Sequence, residues 1–569
     1  MNFLNIILFI IVVVLSKRCD STTVSTTTLY VDSNSEYLAP SCGFFLDKAC
    51  KTIHDAVYSF GNTTDTNTLL DIKMLGGTYY DFQFDKNQYP MLDISNSNIS
   101  ISPLITDNNS LEVIISGQYF QTKFLNITSN NLQATGLEIN NITFKQFSDS
   151  IVYFVPKYNN VVANSFIFNN IKVSNCKIVH PLFYFDKATY SYSYYSLYMY
   201  PKVVVSNSIF INNAIIPVSN PSYSYSTLSK TSIFSVWQTN VTMENNLFEK
   251  NAITSLYSLS CRLCLSNLTF DSNSYASSIY TSSSKSISIV NCTFTKNLVH
   301  SGHTDGAAYY SSFDSNVLID NSTFNENYAS YGGSIYLSQS QSVIKNSKFT
   351  SNIATLTGGA IYLYQGESAI SNIDFENNVA SAGMTIGVYG TSVSVTGSNS
   401  YFTLPYPTID AASPNIISLT GGASFYAFNF SVADFPYSPA NGGSHFNIID
   451  CTRSTFSLYS STNLTTYNQF DNNAICSGCY YHSDNSFKYN IDYCHTIDPQ
   501  SPHPKRLSVH GKVGLAFLVI SSILLLIGVS LIIVTLVRKD PYAEYNLLHN
   551  QFRFATLIND SDSDFDSFL

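Results

Sequence analysis

One short motif, Asn-x-x-Phe, recurs eight times between Asn141 and Asn372 and constrains the fold more than any other feature of this chain. Five of the seven intervals between successive Phe residues are 22 to 30 residues long, and seven of the motifs continue to a second Asn three residues after the Phe. A period in this range is typical of a solenoid, in which no repeat can bury its apolar face alone. The sequence therefore predicts stacked coils.

The residues before each motif alternate between apolar and polar, as in a β-strand that is buried on one face. The position five residues before every Phe is apolar, and the position two residues earlier usually is as well. The apolar residues at the first of these positions are Ile139, Val205, Met243, Leu265, Ile289, Ile319, Ile344 and Ile370. We therefore predict an all-β solenoid.

Strand alternation also predicts where the motif side chains point. The Asn is in phase with the inward apolar positions, so we expect it to be buried. Strands stacked about 4.8 Å apart let identical amides hydrogen-bond to their copies in neighbouring coils. The predicted Asn ladder is Asn141, Asn207, Asn245, Asn267, Asn291, Asn321, Asn346 and Asn372. The predicted Phe ladder, formed after the turn, is Phe144, Phe210, Phe248, Phe270, Phe294, Phe324, Phe349 and Phe375.

Two further strands begin with paired glycines, which permit a sharp corner because they lack a Cβ atom. They start at Gly332-Gly333 and Gly358-Gly359, and a weaker copy starts at Gly383. The motifs Phe-x-x-Asn and Gly-Gly-Ala-Ile resemble the repeats of right-handed parallel β-helices, in particular the polymorphic outer-membrane-protein type of the pectin-lyase-like superfamily. The resemblance implies a β-helix over residues 98–402 and says little about activity.

The N-terminal segment resembles the opening of many such β-helices, in which a short helix caps the first coil. We assign residues 19–97 to this cap and the first coils. The helix is expected from His54 to Tyr58, where it would cover a sheet end that is otherwise free to pair with another chain. Cys42 and Cys50 are candidates for one local disulfide.

Two apolar segments predict a single-pass membrane protein. Residues 1–18 contain an apolar core of signal-peptide length, with an uncleaved anchor as the alternative. Residues 513–537 are 25 residues without a charge, which is enough for a C-terminal transmembrane helix. We therefore expect a type I topology at the plasma membrane or in the endolysosomal system. The other predicted segments are irregular last coils at 403–470, a Cys-containing juxtamembrane segment at 471–512 and a cytosolic tail at 538–569.

The cysteine content predicts an oxidising compartment, because ten cysteines remain when Cys19 at the signal junction is set aside. The motif Cys476-Ser-Gly-Cys479 admits a redox or zinc interpretation, but no second motif of zinc-ribbon spacing accompanies it. We expect structural disulfides instead and leave their connectivity open. The candidates are Cys42, Cys50, Cys451, Cys476, Cys479 and Cys494.

Eleven Asn-x-Ser/Thr sequons precede the predicted membrane span. Four of them, at Asn141, Asn267, Asn291 and Asn321, coincide with the predicted inward ladder, so we expect these four to be buried and unglycosylated. The predicted glycosylation sites are the other seven, Asn62, Asn98, Asn108, Asn126, Asn240, Asn429 and Asn463.

The composition and the motifs argue against catalysis and against nucleic-acid binding. Only 12% of the residues are charged and the net charge is -10, whereas binding to phosphates needs a basic face. Related folds host polysaccharide lyases and hydrolases, which need a basic proton acceptor with Ca²⁺ or a pair of carboxyl groups. The nearest cluster is Ser301-Gly-His303-Thr-Asp305-Gly, which we interpret as a solvated loop. We predict no catalytic residue, no cofactor and no metal site.

A tyrosine-rich tract from Tyr190 to Tyr200 is the best binding candidate that the sequence offers, because exposed Tyr side chains stack on sugars or contact a partner protein. The alternative is one more strand with its Tyr residues inward.

The predicted tail contains Tyr545-Asn-Leu-Leu548, which matches the tyrosine-based sorting signal Tyr-x-x-Φ. Clathrin adaptors bind such a segment as an extended strand with pockets for the Tyr and the bulky apolar residue. We therefore predict a sorting motif formed by Tyr545 and Leu548.

Together these features predict a membrane-anchored glycoprotein with a β-helix ectodomain for adhesion or recognition of a glycan or a cell-surface protein. The alternatives are a membrane-tethered carbohydrate-active enzyme, either a polysaccharide lyase or a glycosidase, and an endolysosomal sorting receptor.

Overall fold

The computed structural model describes residues 25–60, 68–80, 92–95, 98–105, 112–119, 123–128, 135–156, 164–186, 200–216, 231–299, 305–401, 415–433, 447–459, 472–483, 491–492 and 495–496. All of them belong to one of two compact units, and the other unit, Tyr192–Leu197 and Ile497–Leu569, lies outside the described residues. The described unit is a parallel β-helix in which most coils contribute strands to three faces.

Faces 1 and 2 are two ladders of parallel strands that form one 29-stranded sheet, because three long strands belong to both. These shared strands are Ile335–Lys345, Ile361–Ser371 and Ile386–Thr396. Face 1 also contains Leu92–Ser95, Leu125–Thr128, Val152–Phe154, Phe183–Phe185, Ser232–Trp237, Thr254–Leu259, Ile279–Ser282, Tyr309–Ser312, Asn415–Thr420, Asn447–Thr452, Asn472–Ser477 and Ile491–Asp492.

Face 2 contains, besides the shared strands, Ser25–Val31, Thr68–Met74, Asn98–Pro103, Gly136–Asn140, Ser165–Asn169, Lys202–Ser206, Asn240–Glu244, Arg262–Ser266, Ser286–Val290, Val317–Asp320, Ser424–Phe428, Thr455–Tyr459, Tyr480–Ser483 and His495–Thr496. The ladders thus continue past residue 470. Part of the predicted juxtamembrane segment belongs to the coils.

Face 3 is a sheet of 13 parallel strands. Its strands are Gly77–Tyr79, Val113–Ser116, Ile142–Lys145, Lys172–Ser174, Ile209–Ile211, Leu247–Glu249, Thr269–Asp271, Thr293–Thr295, Thr323–Asn325, Lys348–Thr350, Asp374–Glu376, Asn399–Tyr401 and Ser431–Ala433. Two short sheets follow it along the coil, and their strands are Lys177–Ile178 and Ala214–Ile215 in one and Ser274–Tyr275, Leu298–Val299, Tyr328–Tyr331 and Ile353–Thr357 in the other.

Successive coils lie in register, so like side chains form columns that run through the core. On face 2, Ile289 pairs with Ile319, and Ile319 pairs with Ile344. These three side chains are fully buried, as are Ile139 and Val205 at the same position of earlier coils. The predicted half-buried strand and its inward apolar positions are therefore confirmed.

The Phe ladder is confirmed for seven of its eight members. Rings from Phe210 to Phe375 stack at centroid distances of 4.6 to 5.3 Å, with adjacent ring planes within 25° of each other. Phe144 is the exception, because Val173 occupies the matching position in the next coil. Its ring instead packs edge-on against Phe124 and Phe147.

The prediction that the motif Asn is buried is wrong at all eight positions. Each of these residues is exposed and has a left-handed backbone, with φ between 47° and 56°. A left-handed residue turns the chain at the corner between faces 2 and 3, so the alternation of the strand restarts there. The residue after the Asn is the one that points inward. The exposed residues are Asn141, Asn207, Asn245, Asn267, Asn291, Asn321, Asn346 and Asn372.

The second Asn of the motif forms the buried ladder. Every ladder side chain before the last donates from Nδ2 to Oδ1 of its copy in the next coil, at 2.9 to 3.1 Å. The same Nδ2 donates to a face 3 carbonyl of the previous coil, which belongs to Val173 for Asn213 and to a Phe for the others, as when Asn327 donates to Phe294 at 3.0 Å. The ladder residues, all at most 1% exposed, are Asn213, Asn251, Asn273, Asn297, Asn327, Asn352 and Asn378.

The glycine corners that precede face 1 are confirmed. Gly332, Gly358 and Gly383 have φ values of 55°, 73° and 57°. A Cβ atom on Gly332 would lie 2.0 Å from the carbonyl oxygen of Ile335, so no other residue fits there without a shift of the backbone.

The N-terminal cap helix is also confirmed and spans Ile53–Phe60. Thr52 caps it, since its Oγ1 accepts from the backbone N–H of Asp55 at 3.0 Å and donates to the Asp55 carboxylate at 2.7 Å. Ile53 and Ala56 are fully buried against the first coils. The helix therefore covers the end of the apolar core.

Several predicted segments lie outside the described residues. They are the signal segment 1–18, the apolar segment 513–537, the tail with Tyr545 and Leu548, and the sequons at Asn62, Asn108 and Asn463. In the described part of the chain, no helix combines the length and apolar character needed to cross a bilayer.

Candidate binding surface

The cysteines of the last coils form disulfides, not a metal site. Cys451 is bonded to Cys479, and Cys476 is disulfide-bonded too. The sulfur atoms of these three residues lie within 4.8 Å of one another, but sulfurs in disulfides offer no thiolate to a metal. The predicted bridge between Cys42 and Cys50 is present as well. Cys494 lies outside the described residues.

Four other cysteines are free, so the even number of cysteines does not reflect complete pairing. Cys176, Cys261 and Cys292 are buried at corners of the coil, where the next coil has Asn213, Ser284 and Ser322, respectively. Burial raises the pKa of Cys176 to about 12 and those of Cys261 and Cys292 to about 11. These thiols are therefore packing residues. Cys264 is exposed on face 2.

The sequence-predicted site segments are only partly described. Residues 301–304 of the predicted loop lie outside the described residues, and Asp305 forms an isolated parallel bridge with Tyr331. Of the tyrosine tract, only Tyr200 is described.

A column of tyrosines runs along the outside of face 1. The rings of Tyr257, Tyr280, Tyr310, Tyr336 and Tyr362 lie one above the other at centroid distances of 4.8 to 5.4 Å. Burial raises the pKa of Tyr257, Tyr310 and Tyr362 to about 12. Each inner ring has a neighbour on both faces, so the column stabilises the stack of coils but offers mainly ring edges to a ligand.

Face 2 carries a shallow depression, here called the outer groove, with a volume of about 280 Å³. It crosses four successive coils, and its floor contains polar outward side chains such as Gln341 and apolar ones such as Val343. Its lining comprises Asn316, Val317, Gln341, Ser342, Val343, Glu367, Ser368, Ala369, Ser392 and Ser394. Glu367 is the one ionisable residue of this lining. The groove therefore offers hydroxyl and amide groups with a single carboxylate.

Two exposed aromatic residues follow the outer groove in the next coil. Tyr426 pairs with Ser394 of the groove, and Phe428 pairs with Thr396. Their exposed fractions are 46% and 53%. The residues that precede and follow Tyr426 in its column are Ser394 and Ser457, so no neighbouring ring in this column covers its faces. Phe428 is followed in its column by Tyr459, so Tyr426 is the member of this aromatic pair that differs from the face 1 column in having no ring next to it in its own column.

A second constellation, which the sequence analysis missed, lies at the N-terminal end of face 1. The Lys123 ammonium lies 3.2 Å from the centroid of the Tyr153 ring, and the other side of this ring stacks on Tyr184 at 5.0 Å. His180 Nδ1 lies 3.5 Å from a carboxylate oxygen of Asp149. These residues come from three successive coils, so only the register of the coils brings them together.

The charges of this constellation perturb one another. The hydrogen bond to Asp149 raises the pKa of His180. Burial alone would raise the pKa of Asp149, but its hydrogen bonds from His180 and the Ser150 amide, together with the charges of His180 and Lys123, lower it. Burial lowers the pKa of Lys123. Because the opposite charges already pair with one another, we assign this cluster to the joining of coils rather than to ligand binding.

Comparison with known proteins agrees with this architecture. A family model described as "Right handed beta helix region" matches residues 263–433, which contain the outer groove and the aromatic pair. No curated protein matches the chain significantly. The match and the long parallel ladders support a right-handed parallel β-helix.

Proposed function

We propose that this protein is a non-enzymatic recognition protein whose β-helix binds a neutral glycan at the outer groove. The observation that carries this proposal is the aromatic pair, Tyr426 and Phe428, which is about half exposed beside a groove with both polar and apolar side chains. Sugar rings have apolar C–H faces that pack on aromatic rings and hydroxyls that bond to side chains such as Gln341 and Ser392.

Binding fits the groove better than catalysis does. Hydrolysis of a glycosidic bond uses two carboxyl groups on opposite sides of the bond, and the groove lining contributes one, Glu367. A single carboxylate also disfavours polyanionic glycans, in line with the overall charge of -10.

The experiment is a glycan array probed with the purified full-length chain. We expect binding to neutral glycans and a loss of affinity of about tenfold for Tyr426→Ala and for Phe428→Ala. The control is Tyr58→Ala, which removes a ring that is 67% exposed on the cap helix. An equal loss for Tyr58→Ala, capture of a protein instead of a glycan, or no binding to any glycan would each contradict the proposal.

We further propose that residues 513–537 anchor the chain in a membrane and that Tyr545 and Leu548 direct it to endosomes through a clathrin adaptor. The supports are the uncharged 25-residue segment and the position of the motif shortly after it. An unchanged cellular distribution of Tyr545→Ala would contradict the sorting role.

A further inference from the structure

From Asn141 to Asn429, the corner between faces 2 and 3 has one left-handed residue in each coil, which was described above for the motif Asn. Five residues of this corner are acceptors of Asn-x-Ser/Thr sequons, and all five are exposed. They are Asn141, Asn267, Asn291, Asn321 and Asn429. The structure therefore removes the reason for expecting the first four to be unmodified.

Three of these acceptors, Asn267, Asn291 and Asn321, occupy successive coils. The strands that follow them pair in register, with Thr269 next to Thr293 and Thr293 next to Thr323. Strand spacing places consecutive acceptors about 4.8 Å apart along the corner. They therefore form a continuous row at the edge of face 2.

The row ends where the outer groove begins. The coil of Asn321 also contributes Asn316 and Val317 to the start of the groove. The next three corner residues, Asn346, Asn372 and Gly397, are not sequon acceptors. Their coils supply the rest of the groove lining, and the following corner is Asn429, directly after Phe428.

We propose that N-linked glycans on Asn267, Asn291 and Asn321 on one side, and on Asn429 on the other, frame the outer groove and leave a window of three coils open. The role of the window rests on the function proposed above, whereas the glycan row does not. This inference replaces the expectation that the row is unmodified.

The chemistry is compatible with the hydrogen bonds of the corner. Nδ2 forms a bond to C1 of a sugar supplied by a lipid-pyrophosphate-linked oligosaccharide, loses one proton and displaces the lipid pyrophosphate. Nδ2 keeps its second hydrogen. Asn321 Nδ2 donates to Asn291 Oδ1 at 2.7 Å, and this bond needs one hydrogen on Asn321 and only the oxygen of Asn291. Glycosylation therefore leaves the contact available.

The first test is glycopeptide mapping of the full-length chain made in a eukaryotic secretory system, with acceptor sites marked by enzymatic deglycosylation in H₂¹⁸O. We expect Asn267, Asn291 and Asn321 each to be occupied in more than half of the molecules. Occupancy near zero at these sites, with glycans elsewhere on the chain, would overturn the row.

The second test places a glycan inside the window. Asp374→Thr converts Asn372-Ile373-Asp374 into a sequon at an exposed corner of the same type. Asp374→Ala is its matched control, because both variants lose the hydrogen bond that Asn399 Nδ2 donates to Asp374 at 3.2 Å. We expect D374T to gain one glycan and to lose array binding at least tenfold. We expect D374A to bind like the chain that has Asp374.

The outcomes separate the two proposals. Glycosylated D374T that still binds at full affinity would overturn the open window while the row stands. Loss of binding in D374A as well would also count against the window, because the glycan would then not be the cause. If the chain without any substitution binds no glycan on the array, the proposed function fails. The occupancy data still show whether the glycan row exists.

Discussion

At the scale of single residues, the sequence predicted a buried asparagine ladder at the motif Asn. Three of its predicted amide contacts exist, but these residues are exposed, and the buried ladder is formed by the second Asn. Counting by twos along a strand places Asn321 inward, and this count fails because Asn321 has a left-handed backbone. Asn is one of the few residues that adopt this conformation readily. The second Asn of seven motifs was visible in the sequence, and Asn327 is the buried partner of Asn297 and Asn352.

Removal of one ladder amide is expected to destabilise the coils around it. Asn327→Ala leaves the Asn297 amide groups and the Phe294 carbonyl without their present partners. Because these groups are buried, we expect a loss of roughly 3 kcal/mol in the free energy of local opening. Hydrogen exchange at the backbone amides of the strands Thr293–Thr295 and Thr323–Asn325, whose hydrogen bonds the substitution leaves in place, measures this loss.

The matched control is Asn321→Gly, in the same coil. Gly adopts the left-handed conformation at no steric cost, and the Asn321 side chain is exposed. We expect its effect on the same exchange rates to stay within about 0.5 kcal/mol. Equal destabilisation by the two variants would show that the buried amides do not hold the coils together.

At the scale of elements, the corners decide how the strands of one coil become three faces. The glycine pairs were predictable because they precede strands at a fixed interval and glycine permits sharp turns. The left-handed residues at the other corners were not predicted, because Asn, Ser, Lys, Gln and Glu all occur at them. Their common feature is the backbone conformation, which has no single residue signature.

Gly332→Ala is expected to disrupt its corner. The added Cβ would lie 2.0 Å from the Ile335 carbonyl oxygen, so the backbone has to move. The comparison is Gly397→Ala, where φ is similar at 58° but nothing lies within 4 Å of the added atom. Gly397→Ala should cost about 1 kcal/mol from the conformation alone, and Gly332→Ala several times as much. Thermal unfolding of the two variants checks this order, and similar midpoints would contradict it.

At the scale of the whole molecule, the repeat period was enough to predict the fold, whereas the binding surface could not be predicted. The period constrains inward positions, since these must stack in columns such as Ile289, Ile319 and Ile344. Outward positions are free to vary, and the outer groove joins residues such as Gln341 and Ser394 from different coils. Only the register of the coils shows which outward residues are neighbours.

The His180–Asp149 pair makes the stability of the N-terminal coils depend on pH, which matters for a protein proposed to enter acidic compartments. His180 has a raised pKa in the folded state. Its contribution to folding stability is therefore complete below about pH 6.5, the pKa of the unfolded state, and is lost as the pH rises through the pKa of the folded state. Asp149 has a lowered pKa in the folded state. Its contribution to folding stability is therefore present above about pH 3.8, the ordinary pKa of Asp, and is lost as the pH falls through the pKa of the folded state. The pair therefore stabilises most between these limits.

We expect His180→Gln to lower the unfolding midpoint of the protein more at pH 5.5 than at pH 8, because the ion pair exists mainly at the lower pH. Asp149→Asn should remove the same pH-dependent increment, besides a loss from its charge interaction with Lys123 that is present at both pH values. The pH-dependent loss of the double variant should therefore exceed that of either single variant only slightly, since both changes break the His180–Asp149 pair. Thermal melts of the four proteins at the two pH values give the comparison. A loss that is equal at both pH values would show that His180 acts through packing, and additive losses would show that the two residues act separately.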